Sequence, residues 1–249
     1  MSGNRDKAGK VALVTGGSRG IGAAIVKRLA QDGAAVAFTF SSSPDKAQAV
    51  RAGIEAAGGR ALAIRADSAD PAAVRAAVEG AVAAFGRLDI LVCNAGILTR
   101  GPIDTYSIED FDRMVAVNVR SVFVAAQAAS RHMGEGGRIV VIGSIVAERS
   151  AFPGASVYSM TKAALAAMVR GIAIDLAPRG ITVNNVQPGP TATDMNPADG
   201  PHSDAVRNLV PLGRLGRSEE IASFVGYLAG AEAGFVTGAS LSIDGGYTA

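Results

Sequence analysis

The stretch that decides the fold is Val11-Ala12-Leu13-Val14-Thr15-Gly16-Gly17-Ser18-Arg19-Gly20-Ile21-Gly22. A run apolar at every position enters a glycine-rich turn, and the turn opens an amphipathic segment, Gly20–Gln31. A strand without polar alternation belongs in a parallel sheet covered on both faces. Glycines let the backbone turn sharply and come close to a phosphate, which the N-terminus of the following helix stabilises. The spacing is Gly-x-x-x-Gly-x-Gly, so it departs from the general Gly-x-Gly-x-x-Gly dinucleotide fingerprint. What favours a dinucleotide site is its position, between the first strand and the first helix. Gly16, Ser18, Arg19, Gly20, Ile21 and Gly22 are the residues expected to hold it.

The same alternation continues through the chain. Strands are expected near Lys10–Thr15, Ala35–Phe40, Ala61–Ala66, Leu88–Val92, Arg138–Gly143, Thr182–Gln187 and Ser240–Ile243. Helices are expected at Gly20–Gln31, Asp45–Ala57, Pro71–Phe85, Ile108–Met133, Val157–Ala177 and Glu219–Ala229. Repeated βα units predict an α/β fold: a single-domain, doubly wound parallel sheet of seven strands with helices on both faces. No linker divides residues 1–249, and that length suits one large domain. The least regular part is Pro188–Arg217, rich in proline and glycine, which reads as a substrate lid or as a surface excursion.

Composition narrows the function. Apolar residues are 49% and charged residues 18%, enough for a substantial core, and the net charge is only +2. The basic residues are scattered, so no nucleic-acid or membrane-surface partner is expected. One cysteine, Cys93, fits a reducing compartment. The two histidines, His132 and His202, lie in no metal-ligand pattern, so no metal site is expected. Met1–Lys10 is polar and unlike a signal peptide, and no apolar run approaches the roughly 18 residues of a membrane span. A cytoplasmic protein is the resulting expectation.

The second strand should end on the residue that reads the adenosine ribose. An NAD site normally places an acid there, but this chain reads Phe40-Ser41-Ser42-Ser43-Pro44. Ser41 and Ser42 offer hydroxyl donors, and Arg19 in the glycine turn can face the same ribose. A guanidinium with hydroxyls suits a 2′-phosphate, so NADP(H) is expected in preference to NAD(H). Otherwise Arg19 simply points into solvent.

Tyr158 and Lys162 are four apart in a helical segment and project from one face. A phenol with pKa about 10 is a poor proton-transfer group at neutral pH. An ammonium at about 4 Å, with an effective dielectric of about 20, contributes roughly 4 kcal/mol, or about three pKa units. With four tyrosines and five lysines, such a pair arises by chance with a probability of roughly 8%, so it is only suggestive alone. Ser144, at the carboxyl end of an apolar strand where α/β sheets bind ligands, could orient a carbonyl beside Tyr158. A loop hydroxyl bonding backbone is the plainer alternative.

Taken with Asp67, Asn94-Ala95-Gly96, Asn118, Pro188-Gly189, Thr193 and the terminal Asp244-Gly245-Gly246, these residues resemble the short-chain dehydrogenase/reductase family over essentially the whole chain. Within it the pattern is similar to the 3-oxoacyl-carrier-protein reductases, a likeness shared with reductases of sugars, steroids and small ketones. The resemblance implies that Asp67 and Ser68 contact adenine, and that Asn94, Ala95 and Gly96 shape the turn beside the adenosine ribose. It implies that Pro188, Gly189, Thr191 and Thr193 grip the nicotinamide end. Asn118 would hold a water linking Lys162 to solvent, Ser144 would place the carbonyl, and Tyr158 would protonate it. Read without the family, Asp67 could be a helix cap and Asn118 a buried polar residue. The usual Asn-Asn-Ala-Gly appears as Cys93-Asn94-Ala95-Gly96, a conservative packing change.

The implied function is NADP(H)-dependent reduction of a ketone to a secondary alcohol. The rival is a binding protein that keeps the fold and senses a ligand. The helix carrying Tyr158 and the one before it, with Val115, Val119, Val122 and Ala126, are apolar on more than one side. On these helices the resemblance implies a homotetramer, with a homodimer next. Leu98, Ile145, Phe152, Val157, Met160 and Met195 are pocket-wall candidates for a mainly apolar substrate. Glu135 in the Gly134–Gly137 turn disfavours docking of an acidic carrier.

Overall fold

The computed structural model describes residues 6–150, 152–194, 196–197 and 203–249. Met195 and His202 therefore lie outside the described residues, as does part of the 188–217 segment. The chain begins with β1 (Val11–Val14), α1 (Gly20–Gln31), β2 (Ala35–Phe40), α2 (Pro44–Ala56), β3 (Ala61–Arg65) and α3 (Pro71–Phe85). It continues with β4 (Ile90–Cys93), α4 (Ile108–Val115), a π-helical turn (Ala116–Arg120), α5 (Ser121–Ser130) and β5 (Arg138–Ile142). A 3-10 turn (Ile145–Ala147), α6 (Ser156–Leu176) and β6 (Thr182–Pro188) follow. The rest is β7 (Thr191–Ala192), α7 (Ser203–Arg207), β8 (Gly216–Arg217), α8 (Ser218–Leu228) and β9 (Ser240–Ile243).

Seven strands form one sheet in the order β3-β2-β1-β4-β5-β6-β9, every pair parallel. β7 and β8 pair separately. Each strand of the main sheet matches its expected position to within two residues. Burial explains why: β1, β4 and β5 are buried at every residue, so their apolar runs stand out from the helices. One core lies between the sheet and α3, α5 and α6, and includes Val78, Ala125, Leu165 and Val169. The other lies beneath α1, α2 and α8, and includes Ile25, Val50 and Val225.

The expected single helix Ile108–Met133 is a departure. It is broken by the π turn, where one extra residue enters the helical circuit, and it ends at Ser130. π turns of this kind redirect side chains, and they concentrate at functional sites. A second departure is α6 with its 3-10 extension, Ser156–Arg179, which is long and apolar enough by composition to cross a membrane. Here its apolar stripe packs on the sheet, and it carries buried Lys162.

The strand order reverses between β1 and β4, which opens a crevice at their carboxyl ends. At the opposite end Asp89 fixes the same strands. Its carboxylate accepts from the Val11 amide at 2.9 Å, from Arg87, and from Lys10 at 3.3 Å. Burial would raise the Asp89 carboxyl, but the Arg87 and Val11 hydrogen bonds and the two cations outweigh it and hold the pKa low. A group with a depressed folded pKa stabilises the fold above its unfolded value, about 3.9 for Asp, and loses that contribution as pH falls. Asp89→Asn is expected to cost about 2 kcal/mol at neutral pH, lowering Tm by about 4–8 °C. In thermal melts the gap between variant and parent should narrow below about pH 4.

Candidate active site and dinucleotide cleft

Asn94 closes the crevice. Its side-chain amide donates to the carbonyl oxygens of Thr15 and Gly16 at 2.9 and 3.0 Å, and its backbone amide donates to Thr15 Oγ1 at 3.0 Å. The glycine turn is thereby tied to the end of β4. At Gly22 a Cβ would stand 2.2 Å from the Gly16 carbonyl oxygen and 2.5 Å from Asn94 Nδ2, so no side chain fits. Gly20 has φ +52, and a Cβ there would meet the Thr193 methyl at 3.5 Å. Thr193 therefore rests directly over the turn.

This cleft suits the diphosphate of a dinucleotide. α1 begins without a side-chain cap and with no acid in its first turn, leaving its first amides free to take an anion. Gly16, Ser18 and Ile21 line the same turn, with Ala95 packed against Gly16. Arg19, Ser41 and Ser42 are exposed at the rim, and no acid ends β2. Asp67 is exposed and accepts from the Ala69 amide at 2.9 Å. The cap of α3 is Asp70, whose carboxylate accepts from Ala72, so the helix-cap alternative for Asp67 is corrected. Ser68 lies half-buried beside it.

At the carboxyl ends of β4, β5 and β6 the structure gathers the reactive side chains. Ser144 leaves β5 in extended conformation, and its hydroxyl accepts from the Val146 amide at 3.3 Å. Tyr158 and Lys162 stand in the first turns of α6. Lys162 is 4% exposed; its Nζ donates to the Ile142 carbonyl at 2.9 Å and sits 5.7 Å from the centre of the Tyr158 ring. A Cβ on Gly96 would lie 3.5 Å from both Lys162 Nζ and Asn118 Oδ1. Gly96 thus floors the gap between them. Pro188, Gly189 and Thr191 close the other side, with Thr191 Oγ1 donating to the Gly189 carbonyl at 2.9 Å.

Asn118 sits at the centre of the π turn, 1% exposed. Its Oδ1 accepts from Ile97 N and its Nδ2 donates to Ile97 O, both at 2.9 Å; Nδ2 also donates to Thr161 Oγ1 at 3.1 Å. Thr161 in turn donates to the Tyr158 carbonyl at 2.8 Å. The Asn118 side chain therefore locks the β4 loop to the turn of α6 that carries Tyr158 and Lys162. Sequence reasoning missed Thr161, although it immediately adjoins Lys162, and gave Thr15 no contact of its own although it quoted it in the glycine turn.

The expected electrostatics need correction. Burial raises the Tyr158 phenol above its ordinary value, and the influence of the Ser144 hydroxyl only partly offsets it. The Lys162 ammonium is engaged by the Ile142 carbonyl and lies 5.7 Å from the ring centre, and the phenol beside it stays above its ordinary value. Burial instead lowers Lys162 itself, to about 8. A neutral phenol retains the proton that a general acid must give up.

Of the expected pocket walls, Ile145 and Val157 are buried, Phe152 is half-buried, and Leu98 and Met160 are 36% and 42% exposed. Arg100 stacks on Phe152 at 4.2 Å from the ring centre. Cys93 is buried among apolar neighbours, which pushes its thiol up to about 12. It is a packing residue.

Comparison with known proteins agrees with this geometry. The family model described as enoyl-(acyl carrier protein) reductase matches residues 16–248. A short-chain dehydrogenase/reductase from Serratia marcescens BCRC 10948 is 61% identical, with TM-score 0.97, over 98% of this chain and 100% of that one. A short-chain dehydrogenase from Burkholderia cenocepacia J2315, solved in complex with NADP, is 56% identical, with TM-score 0.97 and the same coverage. The cyclic-di-GMP-binding biofilm dispersal mediator protein of Escherichia coli K12 is 47% identical over 97% of this chain and 98% of its own length. The chain belongs to the short-chain dehydrogenase/reductase family.

Proposed function

We propose that this oxidoreductase uses NADP(H) to reduce a ketone to a secondary alcohol, with Tyr158 as general acid. The observation that carries the reading is the convergence of Ser144, Tyr158 and Lys162 at the sheet edge beside an uncapped glycine turn. NADP(H) is favoured by the absence of an acid at the end of β2, and by the NADP complex of the Burkholderia relative. Gly16, Ser18, Arg19, Gly20, Ile21 and Gly22 would hold the diphosphate and ribose phosphate, with Ser41 and Ser42. Asp67, Ser68, Asn94, Ala95 and Gly96 would flank the adenosine. Pro188, Gly189, Thr191, Thr193, Tyr158 and Lys162 would hold the nicotinamide half.

When bound, the reduced nicotinamide supplies the hydride. Ser144 orients the substrate carbonyl, and the Tyr158 hydroxyl gives its proton to the carbonyl oxygen as negative charge develops there. Lys162, cationic below about pH 8, stabilises the tyrosinate left behind. Asn118 acts by fixing α6, since its side-chain amide is fully engaged; a water relay would have to use its backbone carbonyl. The apolar walls Leu98, Ile145, Phe152, Val157 and Met160 suit a mainly apolar substrate under the 188–217 lid. Residues 1–249 act as one domain in the cytoplasm. They assemble as a homotetramer through α5 and α6, where Phe123 and Ile174 are 48% and 75% exposed.

A second reading comes from the name of the E. coli relative: a binding protein that keeps the fold and senses a nucleotide. The complete Ser144, Tyr158 and Lys162 set favours the enzyme.

The test is NADPH oxidation at 340 nm against ketones, diketones and β-ketoacyl thioesters. Turnover is expected, and Tyr158→Phe should lower it by about 10³-fold while NADPH binding weakens far less, by about tenfold at most. Tight NADPH binding with no carbonyl turned over would bring the sensor reading forward. Gly22→Ala should drive a methyl into the Gly16 carbonyl at a cost of about 1–3 kcal/mol, read as a lower Tm and weaker NADPH binding by calorimetry.

A further inference from the structure

Lys46 lies in the first turn of α2, where the helix dipole disfavours a cation. Its place there serves something other than the helix. Its Nζ reaches Asp194 Oδ2 at 2.5 Å, joining positions 148 residues apart across the mouth of the dinucleotide cleft. Asp194 belongs to a turn closed by reciprocal backbone bonds between Thr193 and Asn196, at 3.1 and 3.0 Å. Thr193 rests on Gly20 of the glycine turn.

Arg19 is exposed and its guanidinium makes no hydrogen bond among the described residues, yet its charge acts on Asp194. The Lys46 hydrogen bond and charge, then the charge of Arg19, hold the Asp194 carboxyl below its ordinary value. Lys46 thus pairs with the Asp194 carboxylate, and the charge of Arg19 reaches the same group.

We propose that Asp194 is a built-in competitor for the 2′-phosphate of the cofactor: it holds Lys46 until that phosphate, bridging Lys46 and Arg19, displaces it and frees the stretch 191–194 from α2. This rests on the NADP(H) reading and adds Lys46 and Asp194 as determinants of specificity. Both partners of the ion pair are about half exposed, and such pairs hold weakly. A phosphate monoester carries about −1.5 to −2 charge at neutral pH and three acceptor oxygens, so it can engage Lys46 and Arg19 together and outcompetes a single carboxylate for Lys46. A dinucleotide without that phosphate has no group to displace Asp194. The competitor therefore links release of the segment to the phosphorylated cofactor.

The experiment is calorimetric binding of 2′,5′-ADP and 5′-AMP to the full chain, with amide hydrogen exchange across 191–194. The parent protein should bind 2′,5′-ADP at least about tenfold more tightly than 5′-AMP. Asp194→Asn should tighten 2′,5′-ADP at least about threefold, and Lys46→Gln should weaken it about tenfold, with 5′-AMP unchanged in both. Exchange in 191–194 should rise when 2′,5′-ADP saturates the parent and should already be high in Asp194→Asn. If the parent discriminates between the ligands but Asp194→Asn binds 2′,5′-ADP no better, Asp194 is only a tie and the inference fails while NADP(H) stands. If the parent does not discriminate, both fall.

Discussion

The site depends on the side-chain amide of Asn118. It is buried inside a π turn and satisfied on both polar atoms, clamping both backbone groups of Ile97 and the Thr161 hydroxyl. A buried amide with its partners removed would cost the full desolvation of the groups left behind. The structure therefore has one favourable way to place the β4 loop against α6. Tyr158, Lys162 and Gly96 all stand on the segments that this clamp joins.

From that placement the proton chemistry follows. Burial acts on both Tyr158 and Lys162 in the direction that disfavours charge, raising the phenol and lowering the ammonium. The proposed proton delivery to a developing alkoxide rests on this pairing of a neutral tyrosine with a lysine lowered to about 8. The dinucleotide cleft works by a different economy: it is built from what has been left out. Gly22 omits a side chain, α1 omits a cap, and the end of β2 omits an acid. Each omission leaves an unopposed donor or a space that an anionic ligand can fill.

Much of this is legible in the sequence, for identifiable reasons. The β1–turn–α1 unit can be placed almost to the residue because β1 is buried on both faces and the turn demands glycine. The break after Val115 cannot, since the apolar positions Val115, Val119, Val122 and Ala126 continue the helical rhythm through it. A shift of the hydrogen-bond register from four to five leaves no compositional trace. The Tyr158–Lys162 spacing shows that the two share a face, but not that the ammonium would turn to the Ile142 carbonyl. Nor does any local pattern mark Lys46 and Asp194, which lie 148 residues apart and meet only in the folded chain.

The most direct measurement is the pH dependence of kcat/KM for ketone reduction with saturating NADPH, from about pH 6 to about pH 10, in the parent and in Lys162→Met. The account predicts a plateau that falls above about pH 8, where buried Lys162 loses its proton, and no such limb in the variant, which should be slow throughout. A parent profile flat to pH 10, or an alkaline limb that survives in Lys162→Met, would contradict it.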